Sequence, residues 1–283
     1  MRTGLAMVKM GTVWDRTAEF LTDNIATILP IALLAFFVPA SIEGNFHAVM
    51  EGASRGLILS LQLIQLAFGV LTVWGMLALT AMALENADSD HAGRVAVQRL
   101  PAALVVTLVT FAGLLLLMAP IPAVLSASGV DVMAIAEGRN FDLPSGVASF
   151  VAIYLILAVG FSLWLCARLI VVTPVIVREG KWLGSLRQSW KLTHGITWRV
   201  IGVIILFALL SWVAILAANT VFGSVFALIA GGDRAGVTLS GVLTSIVVAA
   251  VQTGFTMLIP VFTSKLYLAL TAAAGLGESP ARA

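Results

Sequence analysis

Residues 200–232 read VIGVIILFALLSWVAILAANTVFGSVFALIAGG, a run without a single Asp, Glu, Lys or Arg. A helix packed on a water-soluble core keeps a charged face toward solvent, and this run has none to offer. About 20 mostly apolar residues suffice to cross the hydrocarbon of a bilayer. The stretch therefore reads as a transmembrane segment with length to spare. Hydrocarbon offers backbone groups no partner, so a span is either an α-helix or part of a closed barrel. None of the apolar runs shows the ten-residue alternation of a membrane β-barrel.

Five further charge-free intervals follow the same rule: Asn24–Ile42, Gly56–Leu84, Leu100–Val130, Leu143–Ala167 and Ala235–Ser264. The expected fold is an all-α integral membrane protein, a single polytopic domain over residues 1–283. Its six spans are placed near 25–42, 57–84, 102–125, 147–172, 198–222 and 241–264. Pro120 and Pro122, which lack a backbone N–H, are expected to end the third helix. The 200–232 run is longer than one crossing needs, so a break is expected near Asn219, Thr220 or Gly223, followed by a short helix. Residues 1–24 contain Arg2, Lys9, Asp15, Arg16, Glu19 and Asp23 and no apolar run of signal-peptide length. The first span is thus expected to stay in the membrane.

Composition points the same way. The chain is 60% hydrophobic and 11% charged, with mean hydropathy +1.06, whereas a soluble domain carries about 25% charged residues. These values exclude a soluble enzyme, a disordered chain and a disulfide scaffold. The one cysteine, Cys166, excludes an internal disulfide and a multi-cysteine metal site. A net charge of +2 is too small for a nucleic-acid partner.

The position of the charges says more than their sum. One side of the expected topology carries 13 Lys and Arg, among them Arg94, Arg99, Arg168, Arg187 and Lys265. The other carries Arg55, Arg139 and Arg234. Acidic residues number 8 and 6 on the two sides, which leaves +5 and −3. Basic residues gather on the cytosolic side of membrane proteins, so both termini are expected inside, in a bacterial cytoplasmic membrane.

Each pair of spans follows a short polar or amphipathic stretch. In the first, Val13, Thr17, Phe20 and Leu21 recur at helical spacing, with Asp15, Glu19 and Asp23 on another face. In the second, Asp90 is a candidate N-cap for a helix over 91–100. In the third, Leu183, Leu186, Trp190 and Thr193 cluster beside a stripe of Arg187, Lys191 and His194. The expected architecture is therefore three repeats of an interfacial helix (12–22, 91–100, 183–194) and a helical hairpin.

The stretch RLIVVTPVIVREGKWLGSLRQSWKLTHGITWRVIG, beginning at Arg168, is the most distinctive in the chain. Arg168, Pro174, Glu179, Gly180, Ser189, Trp190, Leu192, Thr193, Gly195 and Trp198 form a pattern. It resembles the signature of the glycerophosphoryl diester phosphodiesterase membrane-domain family and the related YciC-type bacterial inner-membrane proteins. The resemblance implies a membrane module of the kind fused, in some members, to a soluble phosphodiesterase domain. No such catalytic domain is expected within these 283 residues, whose histidines, His47, His91 and His194, fall in different loops.

Within that stretch Arg168, Arg178, Lys181, Arg187, Lys191, His194 and Arg199 interleave with Trp182, Trp190 and Trp198. Basic residues near an anionic leaflet gain about 1 kcal/mol each, and Trp favours the headgroup depth. One reading is anchoring and orientation; the sharper one is a phospholipid headgroup site. Arg168 is either an interfacial anchor that snorkels to phosphate or a buried functional arginine. Two acidic groups with a histidine, Glu43–His47–Glu51 and Glu85–Asp88–Asp90–His91, have metal-ligand chemistry, but loop solvation and helix capping explain them more simply. Gln62, Gln65, Asn219, Gln252 and Thr253 lie within spans and are expected to make interhelical hydrogen bonds. Gly241, Ser245 and Ala249 recur every four residues, a spacing that favours close helix packing. No phosphate loop, nucleophile elbow or H-E-x-x-H is present, and Cys166 reads as packing.

The expected function is non-enzymatic: lipid binding or organisation, or support of another envelope process, with phospholipid and another envelope protein as partners and no cofactor or metal. The runner-up is a small-solute transporter or channel with a cavity between the repeats. A membrane enzyme acting on lipid phosphodiesters ranks last.

Overall fold

The computed structural model describes residues 9–50, 53–85, 88–130, 144–230 and 238–275, without the side chains of His47, Ala48 and Ala230. Among the described residues all regular structure is helical. Six helical stretches are long and apolar enough to cross a membrane, which is the architecture of a multi-pass membrane protein.

The first stretch begins as α1 (Met10–Ala32), widens into a π-helical turn at Leu33–Phe37, and resumes as α2 (Val38–Glu43). Pro39 is the cause. It has no N–H to give the Ala35 carbonyl four residues back, and its ring crowds that carbonyl. The turn relaxes so that Val38 N–H reaches Leu33 O, and the stranded Ala35 carbonyl accepts from Thr72 Oγ1 at 3.2 Å. That bond needs close approach, which Gly75 allows: a Cβ there would overlap the Ala35 Cβ.

The short α3 (Phe46–Met50) leads to α4 (Arg55–Glu85), and α5 (Ser89–Met118) to α6 (Pro120–Ala127). The chain turns at Ala119, and Pro120 opens α6, where its missing N–H costs nothing. The remaining elements are α7 (Ser145–Leu169), α8 (Val172–Glu179), α9 (Gly184–Leu192), α10 (Thr197–Ala230) and α11 (Leu239–Ala273).

Three expectations change. The break near Asn219, Thr220 or Gly223 does not occur, because α10 runs on to Ala230. Thr220 and Ser224 donate to the Leu216 and Thr220 carbonyls, so their hydroxyls are satisfied inside the helix. Gly223 alone costs about 1 kcal/mol, too little to break it. The stretches 12–22 and 91–100 are helical but continuous with their spans, in α1 and α5; Pro101 is absorbed within α5. Only α9 stands as a separate helix, set off by a turn at Gly195 with φ +95°. Lastly, the N-cap of α5 is Asp88, which accepts from Ser89 N–H at 2.9 Å; Asp90 sits in the first turn.

Helix α11 takes the central position, packed against α1, α2, α4, α8 and α10. The end of the bundle where the described chain begins and finishes is called the near end. The core gathers there in two clusters. One joins Phe20, Ile28, Leu77, Leu79, Met82, Ala96 and Ile176; the other joins Val13, Val171, Val175, Val200, Phe262, Leu266 and Tyr267. The far halves of the spans instead turn large apolar side chains outward, as at Leu63, Leu116, Ile156 and Leu228.

Candidate functional site

The last four carbonyls of a helix have no intrahelical partner. Near the end of α7 the Arg168 carbonyl is taken up by two hydroxyls, Ser189 Oγ at 2.8 Å and Thr193 Oγ1 at 3.1 Å. Ser185, Ser189, Thr193 and Thr197, spaced by four, are all buried. Small side chains let α9 close onto the end of α7. Each hydroxyl is satisfied: Ser185 donates to Trp182 O at 2.6 Å and Thr197 to Thr193 O at 3.1 Å. In the apolar cluster expected on this helix, Thr193 is inside and Leu186 half-buried, whereas Leu183 and Trp190 are exposed.

The Arg168 side chain lies between two indoles. Its guanidinium carbon is 5.5 Å from the Trp164 ring centre and 5.1 Å from that of Trp190, and the two rings meet edge-to-face at 5.0 Å. Nη1 donates to Trp190 O at 3.3 Å, while the buried Nε has no hydrogen-bond partner among the described residues. Cation–π contacts of this kind contribute about 0.5–2 kcal/mol each.

Helix α8 ends at Gly180, with φ +66°, a left-handed conformation in which glycine pays no Cβ penalty. The same position leaves room for Arg99, whose guanidinium a Cβ at residue 180 would strike. Beside it the Glu179 carboxylate gathers three donors. Lys181 Nζ lies at 2.8 Å, Tyr267 Oη at 3.3 Å, and Gln188 Nε2 donates to the same oxygen as Tyr267. This carboxylate fastens α8 to α9 and α11.

An open groove of about 450 Å³ runs along α9, lined by Lys181, Gly184, Arg187, Gln188, Lys191 and Leu192. Among the described residues its lining has three cations and no acid, although Glu179 offsets Lys181 from one side. The structure thus divides the nine expected headgroup residues. Lys181, Arg187 and Lys191 share the groove; Arg168 and Trp190 form the aromatic clamp beside it. Arg178, His194, Trp198 and Arg199 are exposed outside the groove lining, Trp198 at 82%. Behind the clamp an apolar groove of about 370 Å³ is lined by Trp14, Cys166, Ile170, Ile204, Phe207 and Phe262, among others.

Trp164, the hydroxyl ladder and the Glu179 hub were not singled out from the sequence. The ladder has a legible signal in its four-residue period; the hub does not, since Tyr267 lies 88 residues from Glu179.

Among the described residues no group of three or more His, Cys, Asp or Glu could hold a metal. Glu85 and His91 approach at 3.6 Å while Asp88 caps α5. Glu43 ends α2; Glu51 and the His47 side chain lie outside the described residues. Gln62, Gln65 and Asn219 are exposed, and Thr253 bonds within its own helix. Interhelical bonds come instead from Tyr154 to Leu117 O, Lys265 to Ala83 O and Asn45 to Ser245. The last pair sets Ser245, in the small-residue stripe of α11, against the end of the first span.

No family model, curated protein or solved structure matches the chain.

Proposed function

We propose that this chain is a non-enzymatic protein of the bacterial cytoplasmic membrane that binds phospholipid headgroups at its near end. The observation that carries this reading is the acid-free basic groove of Lys181, Arg187 and Lys191 beside the Arg168 clamp. Lys and Arg around an open groove supply mobile donors for phosphate oxygens. The separate apolar groove on the other face of α7 has room for an acyl chain. Exposed Trp182, Trp190 and Trp198 match the depth at which indoles settle in bilayers.

On this reading the near end is cytosolic, both termini are inside, and the three span pairs are versions of one unit. The charge asymmetry of +5 against −3 supports the orientation. The family would be the membrane-domain family named above, acting alone or beside another envelope protein.

The test is lipid retention by the purified protein, read by native mass spectrometry. Neutralising Arg187 and Lys191 together (R187Q/K191Q) removes about 2 kcal/mol of attraction to an anionic surface, about a 30-fold loss of bound anionic lipid. Retention unchanged from wild type would defeat the reading. The orientation is tested on a Cys166→Ala background with single cysteines at 139 and 187. A reagent confined to the outside is expected to label 139 and miss 187.

A further inference from the structure

On the far side of the bundle from the basic groove, α1–α2, α4 and α11 enclose a cleft of about 330 Å³. It reaches from Glu43, at the end of the first span, to the π-helical turn, where Phe36 and Pro39 form its apolar wall. The polar wall is Glu43, Thr72, Gln252, Thr253 and Thr256.

The hydrogen bonds fix what this wall can accept. Thr72 gives its hydroxyl proton to Ala35 O, Thr253 to Ala249 O at 2.7 Å, and Thr256 to Gln252 O at 2.8 Å. With each proton committed to a backbone carbonyl, the threonines offer only oxygen lone pairs. The Glu43 carboxylate is an acceptor too, and among the described residues no cation pairs with it. Among the described residues of the polar wall the only donor is the Gln252 amide. A wall of acceptors with one negative charge is complementary to a positively charged donor.

We propose that this cleft binds a primary ammonium group, R–NH3+, presented from the far side of the membrane. Its three N–H donors match the carboxylate, the threonine oxygens and the Gln252 carbonyl. The volume is about ten times a water molecule's share of the liquid, about 30 Å³, so the cleft holds a small organic amine and is too roomy for a bare alkali ion. Two sources carry this chemistry: a soluble alkylamine, and the amino headgroup of a lipid in the far leaflet. The proposal is independent of the phosphate site, which lies at the other end of the bundle.

The experiment uses the full chain in nanodiscs of phosphatidylglycerol, with ethanolamine as the probe and the thermal midpoint as the readout. Ethanolamine is expected to raise the midpoint. Tetramethylammonium, which has no N–H, and Na+ at equal ionic strength are expected not to. Loss of one charged hydrogen-bond partner weakens binding at least about tenfold, so Glu43→Gln is expected to need that much more ethanolamine for the same shift. Thr256→Val keeps the charge and the fold of the wall and is expected to weaken binding as well, which guards against misfolding of the first variant. R187Q/K191Q is expected to keep the full response. Phosphatidylethanolamine nanodiscs separate the sources: a suppressed ethanolamine shift assigns the cleft to the lipid amine, and an unchanged shift to the soluble one. No shift in the wild type, an equal shift with tetramethylammonium or Na+, or an undiminished response in both cleft variants would overturn the proposal.

Discussion

At the scale of single residues, Arg168 matters through both its ends. Its carbonyl is shared by Ser189 and Thr193, and its guanidinium by Trp164 and Trp190. Ser189→Ala or Thr193→Val alone leaves the carbonyl one partner and is expected to cost little. The double variant strands a buried acceptor, at a cost of about 1–3 kcal/mol, so it should exceed the sum of the singles in thermal unfolding. Arg168→Gln is expected to reduce retained anionic lipid well beyond Arg178→Gln, because Arg178 projects from α8 without an aromatic clamp; equal losses would remove Arg168 from the site. The basic and aromatic residues of this region were legible from composition alone. Their division into groove, clamp and bystanders was not, because it depends on which face of α9 turns inward. Apolarity pointed to Leu183 and Trp190, yet close approach of two backbones selected serine and threonine.

At the scale of elements, the spans could be read from the absence of charge, since nothing else satisfies a backbone in hydrocarbon. Their interruptions were harder to place. Pro39, Pro101, Pro120 and Pro260 carry the same chemistry, but the outcomes are a π-turn, an unbroken helix, a new helix start and a continuous helix. At Pro39 the freed Ala35 carbonyl is taken up by Thr72 of another helix, a neighbour 37 residues away in the sequence. Thr72 serves Ala35, which gives a double-mutant test. Thr72→Val is expected to destabilise the wild type by about 1 kcal/mol. In a Pro39→Ala background, where residue 39 regains an N–H for the Ala35 carbonyl, the same change should cost nearly nothing. An equal cost in both backgrounds would dissociate the π-turn from the proline.

For the whole molecule, six crossings were readable while their packing was not, because apolar side chains look alike whether they meet protein or lipid. The structure sorts them: Leu79 is fully buried and Leu116 is 77% exposed. Leu79→Ala is expected to open a cavity and cost about 2 kcal/mol or more. Leu116→Ala should change stability little in a bilayer, where an acyl chain takes up the space. Thermal midpoints in nanodiscs check both. The unbroken α10 has a consequence of its own. At 1.5 Å per residue its 34 residues extend about 50 Å, against a hydrocarbon thickness of about 30 Å. Its far tip, with Leu228 at 84% exposure, stays apolar to the end. Such hydrophobic mismatch is met by tilt or by local thickening of lipid. The expected consequence is a thermal midpoint that climbs as acyl chains lengthen, read in nanodiscs of stepped chain length.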